Sequence, residues 1–132
     1  MEKIKVLIAD DHRVVREGLA AILKTKDDIH IVGEAQDGME AVEKVKTLVP
    51  DVVLMDVSMP RMGGVEATRQ IKREFPHIGV VALTMYDEQQ YIFDLVRAGA
   101  TGYLLKDSES SQIVAAIRAI YKGESLIHPS VA

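Results

Sequence analysis

The chain has 132 residues, 48% hydrophobic and 27% charged, a composition that argues for one folded domain and against disorder. It contains no Cys, which excludes a disulfide framework, a zinc finger and a cysteine nucleophile. The net charge of −4 is a poor starting point for gripping a polyanion such as DNA, and no apolar run approaches the roughly 18 residues of a membrane span. Met1-Glu2-Lys3 runs straight into Ile4-Lys5-Val6-Leu7-Ile8 without the marks of a signal peptide, so the expectation is a mildly acidic cytoplasmic domain.

Short apolar runs alternate with longer periodic segments five times. Ile4–Ala9 opens the chain, and Val15, Leu19, Ile22 and Leu23 follow at helical spacing. Ile29–Ala35 is the second run, followed by Val42, Val45 and Val49. The third is Val52–Met55, with Val65, Thr68, Ile71 and Phe75 after it. The fourth is Gly79–Leu83, with Ile92, Leu95 and Val96. The fifth is Tyr103–Leu105, with Ile113, Ile117, Ile120 and Tyr121. The helical stripes are expected to be plain core packing. Runs nearly continuous in Val, Ile and Leu fit strands buried on both faces of a parallel sheet. Gly63-Gly64, Pro50, Pro76, Gly99 and Gly123 fall between the segments as helix starts and stops. Five βα units imply right-handed crossovers and a three-layer α/β domain over residues 1–123, with 124–132 as a tail.

Ligands of open parallel sheets bind at the carboxyl ends of the strands, where the strand order reverses. Strand one ends in Asp10-Asp11, strand three in Asp56 and strand four in Thr84, while Lys106 follows strand five. Three carboxylates gathered on one rim repel unless a cation sits among them. Mg²⁺ fits, because it takes oxygen ligands and brings phosphate oxygens with it. An Asp carboxylate can itself attack phosphorus, while Lys106 supplies a charge and Thr84 a hydroxyl for a phosphoryl group. Taken singly, each residue has a plainer reading: Asp11 as a helix cap, Asp56 in a turn, Thr84 satisfying backbone at a strand end, Lys106 as a solvated loop charge. Of the four His residues, none stands at metal-ligand spacing, and His12 is expected to be a helix-start residue, not a base.

The conjunction of Ile8-Ala9-Asp10-Asp11-His12, Met55-Asp56-Val57-Ser58-Met59-Pro60-Arg61-Met62-Gly63-Gly64, Ala82-Leu83-Thr84 and Gly102-Tyr103-Leu104-Leu105-Lys106 resembles the receiver domain of bacterial response regulators. The resemblance covers residues 4 to 122. It implies a doubly wound, flavodoxin-like sheet in the order 2-1-3-4-5 with five helices. It also implies that Asp56 is the phospho-acceptor, with a sensor histidine kinase or a small acyl phosphate as donor. Asp10, Asp11, Asp56 and the backbone carbonyl of Ser58 would hold Mg²⁺ or Mn²⁺, while Lys106 and Thr84 would contact the phosphoryl group. Tyr103 stands where the family places an aromatic switch, although a half-buried strand aromatic is the plainer reading. Ser58 and Tyr86, two past Asp56 and two past Thr84, flank the path of attacking water and would tune phosphate lifetime.

Asp107 stands where the family often has Pro, as in the subgroup with LuxR-type helix-turn-helix outputs. The tail also resembles that subgroup, which implies a linker to a DNA-binding domain that this chain lacks. The expected function is therefore a signalling switch of a two-component system, not an enzyme, with no direct contact to nucleic acid. Phosphorylation is expected to alter the surface of the fourth helix, strand five and the fifth helix, and so to control dimerisation or an output domain. Two other readings compete. A small-molecule phosphohydrolase or phosphotransferase with an Asp nucleophile would carry a second Asp where Ser58 stands. A docking module that takes no phosphate would lack one of Asp10, Asp11, Asp56 and Lys106, all of which are present.

Overall fold

The computed structural model describes residues 3–85 and 90–126. Five strands, β1 (Ile4–Ala9), β2 (Ile29–Ala35), β3 (Val52–Asp56), β4 (Gly79–Thr84) and β5 (Gly102–Leu105), form one parallel sheet in the order β2-β1-β3-β4-β5. Between and after them run α1 (Arg13–Leu23), α2 (Gly38–Leu48), α3 (Gly64–Glu74), α4 (Ile92–Ala98) and α5 (Ser110–Tyr121). This is the doubly wound α/β architecture expected from the alternation, with the strand order reversing between β1 and β3.

The period-two alternation of the strands divides the core into two slabs. Ile4, Val6, Ile8, Val52, Leu54, Val81 and Leu83 point to the side covered by α1 and α5, against Leu19, Leu23, Ile113 and Ile117. Leu7, Ala9, Val53, Met55 and Val80 point the other way, against Val42 and Val45 of α2 and Ala67 and Ile71 of α3. Ala82 faces a smaller group with Leu95 under α4. Both faces of the central strands are dry, which is why β1, β3 and β4 carry almost unbroken apolar runs.

Two stripe positions depart from the core assignment. Val49 is exposed, because α2 stops one residue earlier and Val49 turns into the left-handed region at φ 44°. Pro50 follows it, and a residue before proline is pushed out of the right-handed helical region. Tyr121 ends α5 with 41% of its surface in solvent. Of the segment read as a tail, Glu124 to Leu126 fall within the described residues, and Leu126 bridges to Gly102 along the free edge of β5. Its N–H donates to the Thr101 carbonyl at 2.9 Å. Residues 127–132, including His128, lie outside the described residues.

Candidate functional site

Each strand delivers its last residue to the same rim. Asp56 closes β3 and is wholly buried, Asp10 follows β1 with 1% exposure, and Thr84 closes β4 with none. Asp11 is half-buried beside them. One donor atom from each of Asp10, Asp11, His12 and Asp56 lies within 4.8 Å of all the others, although the residues come from two segments 44 positions apart. Parallel pairing does this: β1 and β3 are direct neighbours with Ala9 opposite Met55, so the residues that follow emerge side by side.

Lys106 reaches in from beyond β5. Its Nζ lies 2.9 Å from Asp56 Oδ1 and 3.3 Å from Asp10 Oδ2, so one ammonium serves two buried carboxylates. Burial pushes the Asp56 carboxyl up to about 6, and the Asp10 charge adds to the rise; the Lys106 hydrogen bond and charge oppose both. Burial works against the Lys106 ammonium, but the two aspartates together raise its pKa above the ordinary lysine value. The second Asp56 oxygen, Oδ2, is buried and has no hydrogen-bond partner. Buried, unsatisfied oxygens are costly and uncommon, and this one lies among further carboxylates. Three carboxylates, each with a buried oxygen that lacks a hydrogen-bond partner, suit a hard divalent cation, so the residues present fit Mg²⁺ or Mn²⁺.

Thr84 Oγ1 and Tyr103 Oη are likewise buried without hydrogen-bond partners, on adjacent strands. Thr84 at the strand end is therefore not satisfying backbone through its hydroxyl. Ser58 is exposed in the β3–α3 loop, and its N–H donates to Asp56 Oδ1 at 3.4 Å. The loop folds back tightly: Gly64 N–H bonds the Val57 carbonyl at 2.8 Å, and a Cβ on Gly64 would run into the Asp56 carbonyl. Tyr86 lies outside the described residues. No cis peptide occurs among the described residues, so the 106–107 bond is trans.

The capping reading of Asp11 does not hold, since the N-cap of α1 is His12. His12 is thus a helix-start residue as expected, but its side chain makes no cap bond. The ring turns back instead, with Nδ1 3.1 Å from Asp11 Oδ1 and 3.4 Å from Asp10 Oδ1.

Three supporting residues escaped the sequence reading. Arg16 is buried on α1, and its guanidinium donates to the Asp10 carbonyl at 2.7 Å and to Glu34 of β2 at 3.2 Å. Its signal was a charged residue at the helical spacing of Leu19, Ala20 and Leu23. Asp37, the N-cap of α2, accepts from the Glu40 N–H at 2.8 Å and from the Arg61 guanidinium, whose Nε lies 3.0 Å away. Arg61 sits at φ 64° in the loop after Asp56, so this pair pins that loop to α2. No spacing rule links positions 37 and 61.

A parallel α/β sheet with an acidic pocket at its switch point and a lysine reaching across it defines a narrow class of protein. The profile of the response regulator receiver domain matches residues 6–118, and the chain belongs to that family. It is 44% identical over 129 residues to the oxygen regulatory protein NreC of Staphylococcus carnosus, covering 97% of this chain and 59% of the relative. Among solved structures, a LuxR-family two-component response regulator from Aurantimonas sp. SI85-9A1 superposes with a TM-score of 0.89 at 32% identity, covering 98% of this chain and 93% of that one. The receiver domain of a NarL response regulator from Mycobacterium tuberculosis gives 0.87 at 36% identity, covering 94% and 100%. The chain thus matches the receiver part of longer regulators and spans a little over half the length of such curated relatives.

Proposed function

We propose that this domain is a phosphorylation-activated switch that takes a phosphoryl group onto Asp56 Oδ2 from a phosphohistidine of a sensor kinase or from a small acyl phosphate. The observation that carries this reading is the division of labour at Asp56. Lys106 engages Oδ1, leaving Oδ2 buried and without a hydrogen-bond partner on a carboxylate that belongs to the acidic group. In the transfer, an Oδ2–P bond forms while the donor's P–N or P–O bond breaks and the leaving group keeps the electron pair, an imidazole taking a proton and a carboxylate departing as the anion. Asp10, Asp11, Asp56 and the Ser58 carbonyl would hold Mg²⁺ or Mn²⁺, which when bound neutralises charge on the phosphoryl oxygens. Lys106 shifts its ammonium from Asp56 Oδ1 to a phosphoryl oxygen, and the Thr84 hydroxyl gains an acceptor. Ser58, at the mouth of the pocket, and Tyr86 govern the access of water and hence the lifetime of the acyl phosphate.

The bonds to Thr84 and Lys106 exist only in the phosphorylated state, so they bias the chain after β4 and β5. Tyr103, whose hydroxyl is buried and unpartnered beside β4, is free to trade position as Thr84 moves. The α4–β5–α5 surface then controls dimerisation or a DNA-binding output domain that follows this one in a cytoplasmic transcription regulator. The chain's net charge of −4 is a poor match for nucleic acid, and among the described residues no helix is long and apolar enough to cross a membrane.

Incubation with acetyl phosphate and Mg²⁺, followed by intact mass and size-exclusion chromatography, tests this. One phosphoryl adduct on the wild type and none on Asp56→Asn is expected. Steady turnover of unrelated phosphoesters would favour a hydrolase, and no adduct under any donor would leave a docking module.

A further inference from the structure

The pocket contains a nitrogen. Beside three carboxylates, the His12 ring makes no cap bond to its own helix and lies against Asp10 and Asp11. We infer that His12 Nδ1 is a fourth side-chain ligand of the metal site, and that it makes the site select borderline transition ions such as Ni²⁺ and Zn²⁺ over Mg²⁺. This rests on the reading of Asp10, Asp11 and Asp56 as a divalent cation site, and says which ions that site prefers.

The spacing carries the inference. Two ligand atoms on one ion at bond lengths of about 2.1 Å stand roughly 3.0 Å apart at an octahedral right angle and about 3.4 Å apart at a tetrahedral one. His12 Nδ1 stands 3.1 Å from Asp11 Oδ1 and 3.4 Å from Asp10 Oδ1. Lys106 approaches Asp10 through Oδ2, whereas Oδ1 accepts from the His12 N–H at 2.8 Å and faces the His12 ring, so ammonium and imidazole lie against different oxygens of one carboxylate. The wholly buried, unpartnered Asp56 Oδ2 is an independent sign that the pocket is built around a cation. The ring is 67% exposed, so no packing holds it there, and it can swing the short distance needed to close on an ion.

The chemistry decides which ion gains. Mg²⁺ keeps oxygen ligands and gains little from an imidazole, whereas Ni²⁺, Cu²⁺ and Zn²⁺ bind imidazole nitrogen well. A receiver with this ring would therefore take such ions at concentrations far below those at which Mg²⁺ binds, and its phosphoryl chemistry would answer to their supply.

The test is titration calorimetry of the wild type, His12→Phe and His12→Asn with Mg²⁺, Ni²⁺ and Zn²⁺, without phosphoryl donor. Both substitutions should weaken Ni²⁺ and Zn²⁺ at least tenfold and change Mg²⁺ by less than about threefold. Independently of any variant, pulsed EPR of the wild type with one equivalent of Cu²⁺ should show the remote nitrogen of a coordinated imidazole, absent in His12→Phe. Equal small changes for all ions, or an unchanged nitrogen signal in His12→Phe, would overturn the inference and reduce the ring to an electrostatic neighbour of Asp11. Failure of Mg²⁺ to bind the wild type would instead remove the cation site itself, and this inference with it.

Discussion

Asp37 and Asp56 are both buried carboxylates at the same rim of the sheet, and their surroundings drive them in opposite directions. Asp37 accepts from a helix N-terminal N–H and from the Arg61 guanidinium, which hold its carboxyl below the ordinary value. Asp56 has one lysine, shared with Asp10, and burial raises it to about 6. The first is satisfied and holds a loop in place. The second keeps an oxygen without a partner, an uncompensated cost of the kind found at functional sites and consistent with the role proposed for Asp56. Burial alone therefore does not separate the two acids; whether both carboxylate oxygens find a donor does.

Several substitutions would break or sharpen this contrast. The largest effect should come from Lys106→Met, which leaves Asp10 and Asp56 facing each other without a cation and should cost about 3 kcal/mol at neutral pH. Urea unfolding in chelator should show that loss shrinking toward pH 4.5, as Asp56 takes up a proton. An equal loss at both pH values would mean that the lysine acts through packing.

Next comes Asp56→Asn in metal-free solution. The folded carboxyl titrates near 6 and the unfolded one near 3.8, a difference of about 3 kcal/mol at roughly 1.4 kcal/mol per pH unit. The sign follows from the raised value: the stability is fully present below the unfolded pKa and is lost as pH rises through the folded one. Wild-type stability should thus fall between about pH 4 and 6.5. The variant should lack that fall and gain about 1 to 3 kcal/mol at pH 7.5, the lower figure allowing for the partner Lys106 loses. Parallel pH profiles for the two proteins would contradict the assignment.

Asp37 should respond on a smaller scale. Asp37→Ala removes both cap and ion pair and should cost about 1–2 kcal/mol, whereas Asp37→Asn keeps a good cap and should cost under about 1 kcal/mol. Equal losses would show that the Arg61 pair, not the cap, dominates. Smallest for the fold is an exchange of Ser58, which is exposed and should leave the unfolding midpoint nearly unchanged while altering the rate of phosphate loss. Unaltered phosphate lifetimes would remove Ser58 from the path of water.

The division between what was legible and what was not follows chain distance. β1 and β2 begin and end where their apolar runs do, and Asp56 and Thr84 close β3 and β4, because continuous Val, Ile and Leu announce strands buried on both faces. The meeting of Asp10, Asp11 and Asp56 was legible too, since parallel strands of one sheet must deliver their last residues to one rim. Val49 was misplaced because helical periodicity says nothing of where a following proline stops the helix. Arg16 and the Asp37–Arg61 pair were missed because a long side chain reaching across elements leaves no period in the sequence.

The amino-acid sequence by itself determined the elements, their order and the residues at each strand end, since these follow from local patterns of apolar and polar side chains. Only the tertiary structure decided which Asp56 oxygen Lys106 engages, that one ammonium is shared with Asp10, that His12 turns back to the carboxylates, and that Asp56 titrates near 6 while Asp37 is held low. Those properties depend on burial and on the distances between charges from separate segments, and neither is defined until the chain is packed.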